Sequence, residues 1–299
     1  MGKIKIVGCG NSGREFLNRL IEGKFASEQV EFYLINSDEA SLKKSKVKNK
    51  ILIGNGLGCG CSIKRAKKYL EQANNEIKNI LIDTDLLILT TGMGGGMGTA
   101  AVCEIAKIAK EQNIPTIAVI TKPCAFEGLA RITNAEKGIT ELKEYTNTIF
   151  VFKNDNILSC IYKEISCEML FSFIDNIIDG IITSIIITIK NKNHIDINTL
   201  KNIIKNSQKI TLKRGVGLTI KEAFNNAVEN NSCGSFDISK TEKMLLTVVC
   251  NKNYKKNISD MKILNTEIKN EFPNNKLFKI QYLQQANIEF IQIIMILSF

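Results

Sequence analysis

At 299 residues the chain is long enough for one large or two moderate domains, each with its own core. Hydrophobic residues make up 44% and charged residues 23%, an ordinary globular balance that argues against a disordered or fibrous chain. The formal charge of +10 raises the question of nucleic acid, but the lysines are scattered and no basic stripe interleaved with aromatic residues appears, so direct nucleic-acid binding is not expected.

The nine cysteines include no CxxC pair and His194 is the single histidine, so a zinc site is not expected and reduced thiols in a cytoplasmic protein are. The N-terminus runs straight into a strand without a signal-peptide pattern. Ile181 to Ile189 and Ile288 to Phe299 are very apolar but too short to span a bilayer, so membrane binding is not expected either.

In chain order, Lys3 to Val7 reads as a strand, Gly8, Gly10 and Gly13 space a turn, and Arg14 to Ile21 continues as a helix. Val30 to Ile35 is the next strand and ends in Asn36, Ser37 and Asp38. Ile51 to Ile53 leads into a second glycine loop, Gly54 to Gly60, and a basic helix from Ser62 to Glu76. Leu86 to Leu89 is a strand that runs into Thr90-Thr-Gly-Met-Gly-Gly-Gly-Met-Gly-Thr99, followed by a helix from Ala100 to Lys110. Strands at Thr116 to Ile120 and Ile149 to Phe152 flank a helix from Glu127 to Thr146. Alternating strand and helix with fully apolar strands predicts an α/β fold, a mostly parallel sheet covered on both faces with its site at the C-terminal strand edges.

From Lys163 the chain reads as a long apolar-faced helix to Ile187, although β-branching leaves Ile185 to Ile189 ambiguous with strand. Residues 190–206 read as a polar loop and a short helix. Strands at Lys209 to Leu212, Met244 to Cys250, Leu277 to Leu283 and Ile288 to Leu297, with helices at Lys221 to Glu229 and Ser259 to Phe272, predict a smaller mixed α/β domain. The expected organisation is therefore residues 1–162, a central helix 163–187, an interface segment 188–206 and a C-terminal domain 207–299.

The glycine run is the strongest chemical signal. With so few side chains the backbone can turn tightly and offer consecutive N–H groups to an anion, and the helix after it adds its positive end. A lone Gly8-x-Gly10-x-x-Gly13 with Asp38 downstream is compatible with a dinucleotide fold, but such a fold needs neither of the later glycine loops. No loop ends in the Gly-Lys-Ser/Thr of a Walker A motif.

Asn36-Ser-Asp38, Gly56-Leu-Gly58-Cys-Gly60, Thr91 to Thr99 and Pro123-Cys-Ala-Phe-Glu-Gly128, in this order and spacing, resemble the FtsZ branch of the tubulin/FtsZ superfamily. The resemblance implies a parallel-sheet GTP-binding domain, a central helix, a mixed C-terminal domain, GTP or GDP with Mg²⁺ as cofactors, and self-association into polar filaments. It implies that Gly10, Asn11, Ser12 and Gly13 lie near the phosphates, that Asn36, Asp38 and Gly58 adjoin the nucleotide, and that Gly94, Gly95, Gly96, Met97, Gly98 and Thr99 wrap the phosphates. Glu127 and Arg131 match a pair that reaches the ribose and phosphates, and Asn154, Phe171 and Asp175 match residues that bracket guanine.

Catalysis in the family is completed by a loop from the next subunit carrying two acidic residues. Here the matching positions are Asp196 and Thr199, and a hydroxyl is a poor base near neutral pH, so weakened GTP hydrolysis is expected. A guanine-nucleotide-binding protein without hydrolysis or long filaments is the alternative. The family's acidic linker and C-terminal peptide have no counterpart in this sequence, which together with the positive charge points to a divergent relative serving cell division or plasmid or phage segregation, with an adaptor protein as a further partner.

Overall fold

A computed structural model describes residues 3–22, 30–146, 148–159, 166–190, 210–230, 237–254, 257–285 and 289–299. Asp196, Thr199 and His194 lie outside the described residues, as do residues 191–206 of the loop and short helix expected at 190–206; Lys190 ends the central helix. By its contacts the chain divides into two units, Met1–Thr183 and Ser184–Phe299.

The first unit holds β1 (Ile4–Cys9), α1 (Gly10–Glu22), β2 (Val30–Asn36), α2 (Glu39–Lys43), β3 (Asn49–Leu52), α3 (Ile63–Gln72), α4 (Asn74–Ile80), β4 (Leu86–Gly92), α5 (Gly96–Glu111), β5 (Thr116–Lys122), α6 (Leu129–Leu142), β6 (Thr148–Lys153) and α7 (Asn154–Ser159). Its six strands run in the order β3-β2-β1-β4-β5-β6, every neighbouring pair parallel. The order reverses beside β1, which pairs with β2 on one edge and β4 on the other, so a crevice opens at the C-terminal ends of β1 and β4.

The near-continuous burial of β1, β4 and β5 follows from helices on both faces. On one face Val7, Cys9, Leu87, Leu89, Ala118 and Ile120 join the buried sides of α3, α5 and α6 in one core. On the other, α1 lays Phe16, Leu17 and Leu20, all fully buried, across β1, β2 and β4. Lys5 lies inside this sheet, its ammonium donating to the carbonyls of Ile80 and Ile82 at 2.8 and 2.6 Å and so closing the end of α4.

Several boundaries differ from the sequence reading. The basic helix expected from Ser62 to Glu76 is two helices, α3 and α4, broken at Ala73. The helix expected from Glu127 starts at Leu129, because a 3-10 turn over Ala125–Glu127 precedes it. The central helix α8 spans Cys167–Lys190, so the ambiguous Ile185 to Ile189 stretch is helical and β-branching is overruled. Residues 167–186 of it are long and apolar enough to cross a membrane by composition alone, but Leu170, Ile174, Ile178, Ile181, Ile182 and Ile185 form a stripe buried within the protein.

The second unit carries β7 (Ile210–Gly217), α9 (Ile220–Glu229), β8 (Lys243–Asn251), α10 (Ile258–Glu271), β9 (Leu277–Gln285) and β10 (Ile291–Ser298). The sheet is mixed: β10 is antiparallel to β7 and β8, and β8 is parallel to β9. Phe224 of α9 meets Phe272, just after α10, edge to face at 6.3 Å over a core of Leu246, Val248, Ile293 and Met295.

Candidate functional site

A cavity of about 400 Å³ opens at the switch point of the six-stranded sheet. Its wall is made by the ends of β1 (Cys9), β2 (Asn36 to Asp38) and β4 (Gly92), the starts of α1 (Gly10 to Ser12) and α5 (Gly95 to Gly98), the loop Leu57 to Cys61, and Arg131 of α6. Five separate stretches of chain therefore converge on one space.

Two helix N-termini face it. α1 begins at Gly10, and α5 begins at Gly96 with Gly95 as an N-cap that has no side chain to satisfy the first turn. The first-turn N–H groups and the dipoles of the two helices favour an anion here. A side chain at Gly95 would meet nothing within 4 Å, so that position opens onto free space.

The glycine run is held from behind. Thr99, buried within α5, accepts the Gly94 N–H on its Oγ1 at 2.8 Å. Gly94 adopts φ +102°, where a Cβ would also sit 2.8 Å from the Arg131 carbonyl, so only glycine fits. Gly96 donates its N–H to the Gly60 carbonyl at 3.0 Å, locking the start of α5 to the second glycine loop.

That second loop is tied to β2 as well. Gly58 donates to the Ser37 carbonyl at 2.7 Å and Glu39 to the Gly56 carbonyl at 3.0 Å. Asp38 is the single carboxylate on the wall, and its Oδ1 accepts the Ser41 N–H at 3.0 Å, capping α2. Asn36 is 3% exposed and accepts the N–H groups of Ser37 and Asp38 on its Oδ1, while its Nδ2 donates to Asn11 Oδ1 at 2.8 Å.

Of the residues expected from the sequence, Gly10, Asn11, Ser12, Asn36, Asp38, Gly58, Gly95, Gly96, Met97, Gly98 and Arg131 line the cavity. Gly94 and Thr99 stand behind the wall as its support. Gly13 is buried against Gly8, which makes it a contact between α1 and β1 and not a wall residue. Glu127 reaches the site through Arg131, whose Nη1 donates to Glu127 Oε2 at 2.7 Å, while Glu127 Oε1 accepts the Cys124 N–H at 2.9 Å.

Asn154, Phe171 and Asp175 are not on this wall. Asn154, at the start of α7, is 4% exposed and its Oδ1 is buried without a hydrogen-bond partner. Phe171 on α8 is partly exposed. Asp175 faces Arg19 of α1, with Arg19 Nε 3.4 Å from its Oδ2, and the same guanidinium donates to Asn176 Oδ1 and Ser172 Oγ, both at 3.0 Å. Burial pushes the Asp175 carboxyl up to about 6, with Arg19 opposing the rise and Glu15 adding to it.

Cys9 and Cys61 are wall residues outside the sequence motifs, while Ser37, Leu57, Cys59, Gly60 and Gly92 lie inside those motifs without a role assigned to them from the sequence. Gly60 sits in the same loop as Gly58, and Cys59 and Cys61 flank it, so proximity to the loop was the available signal. Cys9 is fully buried, and burial holds its thiol far above the usual range.

A family model described as the tubulin/FtsZ family GTPase domain matches residues 3–162, more than half of the chain. The chain belongs to the tubulin/FtsZ family. It is 30% identical over 261 residues to the cell division protein FtsZ of Buchnera aphidicola subsp. Baizongia pistaciae, a match covering 84% of this chain and 67% of that protein. It is 37% identical over 186 residues to the FtsZ of Buchnera aphidicola subsp. Acyrthosiphon pisum, covering 61% of this chain and 48% of that one, so the matched segment spans about half of the second relative. Among solved structures, an empty FtsZ dimer from M. jannaschii superimposes with a TM-score of 0.87 at 25% identity, over 100% of this chain and 88% of that one. The TubZ-Bt two-stranded filament shares the fold, with a TM-score of 0.73 at 14% identity over 99% of this chain and 84% of that one.

Proposed function

We propose that this tubulin/FtsZ-family chain binds GTP and GDP with Mg²⁺ at the cavity described above and assembles head to tail into polar filaments in the cytoplasm. The observation that carries the reading is the convergence of two helix N-termini, the Gly95 opening and Arg131 on one space of about 400 Å³. Cavities that hold nucleotide-sized ligands run from roughly 300 to 1,000 Å³. The backbone N–H groups of Gly95, Met97 and Gly98 would hold phosphate oxygens, and Arg131 would add a charged donor kept in place by Glu127.

The orphaned Oδ1 of buried Asn154 supports a guanine partner, because an unpaired buried acceptor is costly and the guanine edge offers N–H donors. Phe171 and Asp175 complete the proposed base site. Among the described residues no group of three or more acidic, histidine or cysteine side chains could hold a metal, so Mg²⁺ would be carried by phosphate oxygens and water.

The wall's single carboxylate, Asp38, already caps α2, which fits a site that binds nucleotide by itself and needs outside help for hydrolysis. That help would come from Asp196 of a neighbouring subunit through a heterologous contact, which propagates as a filament. Thr199 beside it lacks charge, so turnover would be slow. The roles that fit are cell division or the segregation of a plasmid or phage, with an adaptor protein linking the filament to its cargo. Thr199 also favours one second reading, a guanine-nucleotide-binding protein that neither hydrolyses nor forms long filaments.

Purified protein with GTP and Mg²⁺, followed by pelleting and phosphate release, tests the proposal. GTP-dependent pelleting with slow release is the expected result. Nucleotide binding with neither pelleting nor release would replace it with the second reading.

A further inference from the structure

From the end of α2 through β3 the chain turns one row of side chains outward. Val47, Ile51 and Ile53 are buried, whereas Lys46, Lys48, Lys50 and Leu52 are exposed. In extended chain, residues two apart share a face, so three lysines and a leucine form a single row. Asn49, between them, turns its amide to the Phe32 carbonyl at 3.0 Å. β3 is the outermost strand of the six-stranded sheet, so the row lies along the rim of its unit, with exposed Lys44 just before it. Leu52 closes the row and is 41% exposed.

The rim is unbalanced in charge. Lysines are spread over the chain as a whole, yet positions 43 to 68 hold nine Lys and Arg and no Asp or Glu. Glu39 pairs with Lys43 and Glu22 of α1 pairs with Lys46. Lys44, Lys48 and Lys50 have no acidic partner among the described residues. The basic surface continues onto α3, which reaches the end of β3 where the Tyr69 ring packs on Gly54. Arg65 lies one helical turn before Tyr69 and is exposed, as is Lys68.

We propose that this rim is a peripheral docking surface for an anionic lipid bilayer. Each lysine brought near such a surface strengthens binding about fivefold, and three that are unpaired in the folded chain give up no ion pair to do so. Leu52 decides between polyanions. Lipid offers an exposed leucine an apolar phase, whereas a phosphate backbone offers it nothing, and the row carries no aromatic side chain on which a base could stack. A second copy of the chain fits poorly, because its formal charge is also +10. The long apolar segments give no ground for membrane binding, and this contact uses none of them. It is also independent of the nucleotide reading.

Flotation of the full chain without added nucleotide, on vesicles of phosphatidylcholine alone or mixed with phosphatidylglycerol, tests the proposal. The mixed vesicles should carry the protein and the neutral ones should not. Salt at about 1 M, where charges are screened beyond roughly 3 Å, should release it. The triple variant Lys44→Gln, Lys48→Gln, Lys50→Gln should weaken binding about a hundredfold, and Leu52→Gln about fivefold. The control triple Lys137→Gln, Lys262→Gln, Lys269→Gln removes the same charge from exposed positions on α6 and α10, and should weaken binding less than about threefold. All of these side chains are exposed, so the variants keep their fold. No flotation with the mixed vesicles, equal losses in the two triples, or duplex DNA binding tighter than the mixed vesicles at equal phosphate would each overturn the proposal.

Discussion

The N–H of Gly96 donates to the carbonyl of Gly60 at 3.0 Å, and a Cβ on Gly96 would lie 2.4 Å from that same oxygen. The bond joins two glycine loops that are far apart in sequence, and it exists only because one partner has no side chain. The opening of α5 toward the cavity depends on it.

Gly96→Ala should therefore push the two loops apart. Overpacking of this kind costs about 1–3 kcal/mol, readable as a lower urea midpoint. Nucleotide affinity should fall by more than the stability loss accounts for, because the cavity wall itself moves. An alanine variant with unchanged affinity would show that the loops can separate without consequence.

Thr99→Val probes the same wall from behind. Valine matches the shape of threonine but cannot accept the Gly94 N–H that Thr99 Oγ1 accepts at 2.8 Å inside the protein. An unsatisfied buried donor costs about 1–3 kcal/mol, and Thr99→Ser should restore most of it. Chemical denaturation of the three proteins side by side makes the comparison.

Asp175 gives a pH signature. Its carboxyl is pushed up to about 6 in the folded protein, from an ordinary value of 3.8. Between these two values the folded state holds more protons than the unfolded state, so this group's contribution to stability falls as pH rises and the loss is complete above about 6. Asp175→Asn should flatten the stability profile over pH 4 to 6 relative to the parent. Arg19→Met removes the cation that opposes the rise, and should extend the falling segment to higher pH. Urea midpoints across pH 4 to 7 would reveal either change, and superimposable profiles for parent and Asp175→Asn would refute the assignment.

Thr199 stands where the resemblance to the FtsZ branch implies a second acidic residue. If its lack of charge is what slows hydrolysis, Thr199→Asp should raise steady-state phosphate release by about 10², with GTP affinity unchanged. Release no faster than the parent would locate the deficit elsewhere.

Much of the fold was legible because its signals are local. The apolar runs at Ile4–Cys9 and Leu86–Gly92 have a length and flanking glycines that suit only buried parallel strands. The glycine run declared its chemistry for a similar reason, since five glycines at the end of such a strand leave mainly backbone as its recognition surface. What stayed hidden depends on distant partners. Nothing near Gly60 in sequence announces that its carbonyl meets Gly96, and nothing in Asn11 reveals that its Oδ1 accepts from Asn36. Gly13 misled for the opposite reason: it belongs to a glycine motif but serves the contact with Gly8. The split between α3 and α4 falls at Ala73, where a run of good helix formers gives way to Asn74 and Asn75, which are poor ones.

Equilibrium binding of GTP, compared with ATP under the same Mg²⁺ and salt, decides whether the protein selects guanine. Saturable binding of GTP at least about a hundredfold tighter than ATP is expected, with Asn154→Ala reducing that preference because the orphaned buried Oδ1 is then gone. Equal affinity for the two nucleotides, or no binding of either, would contradict it.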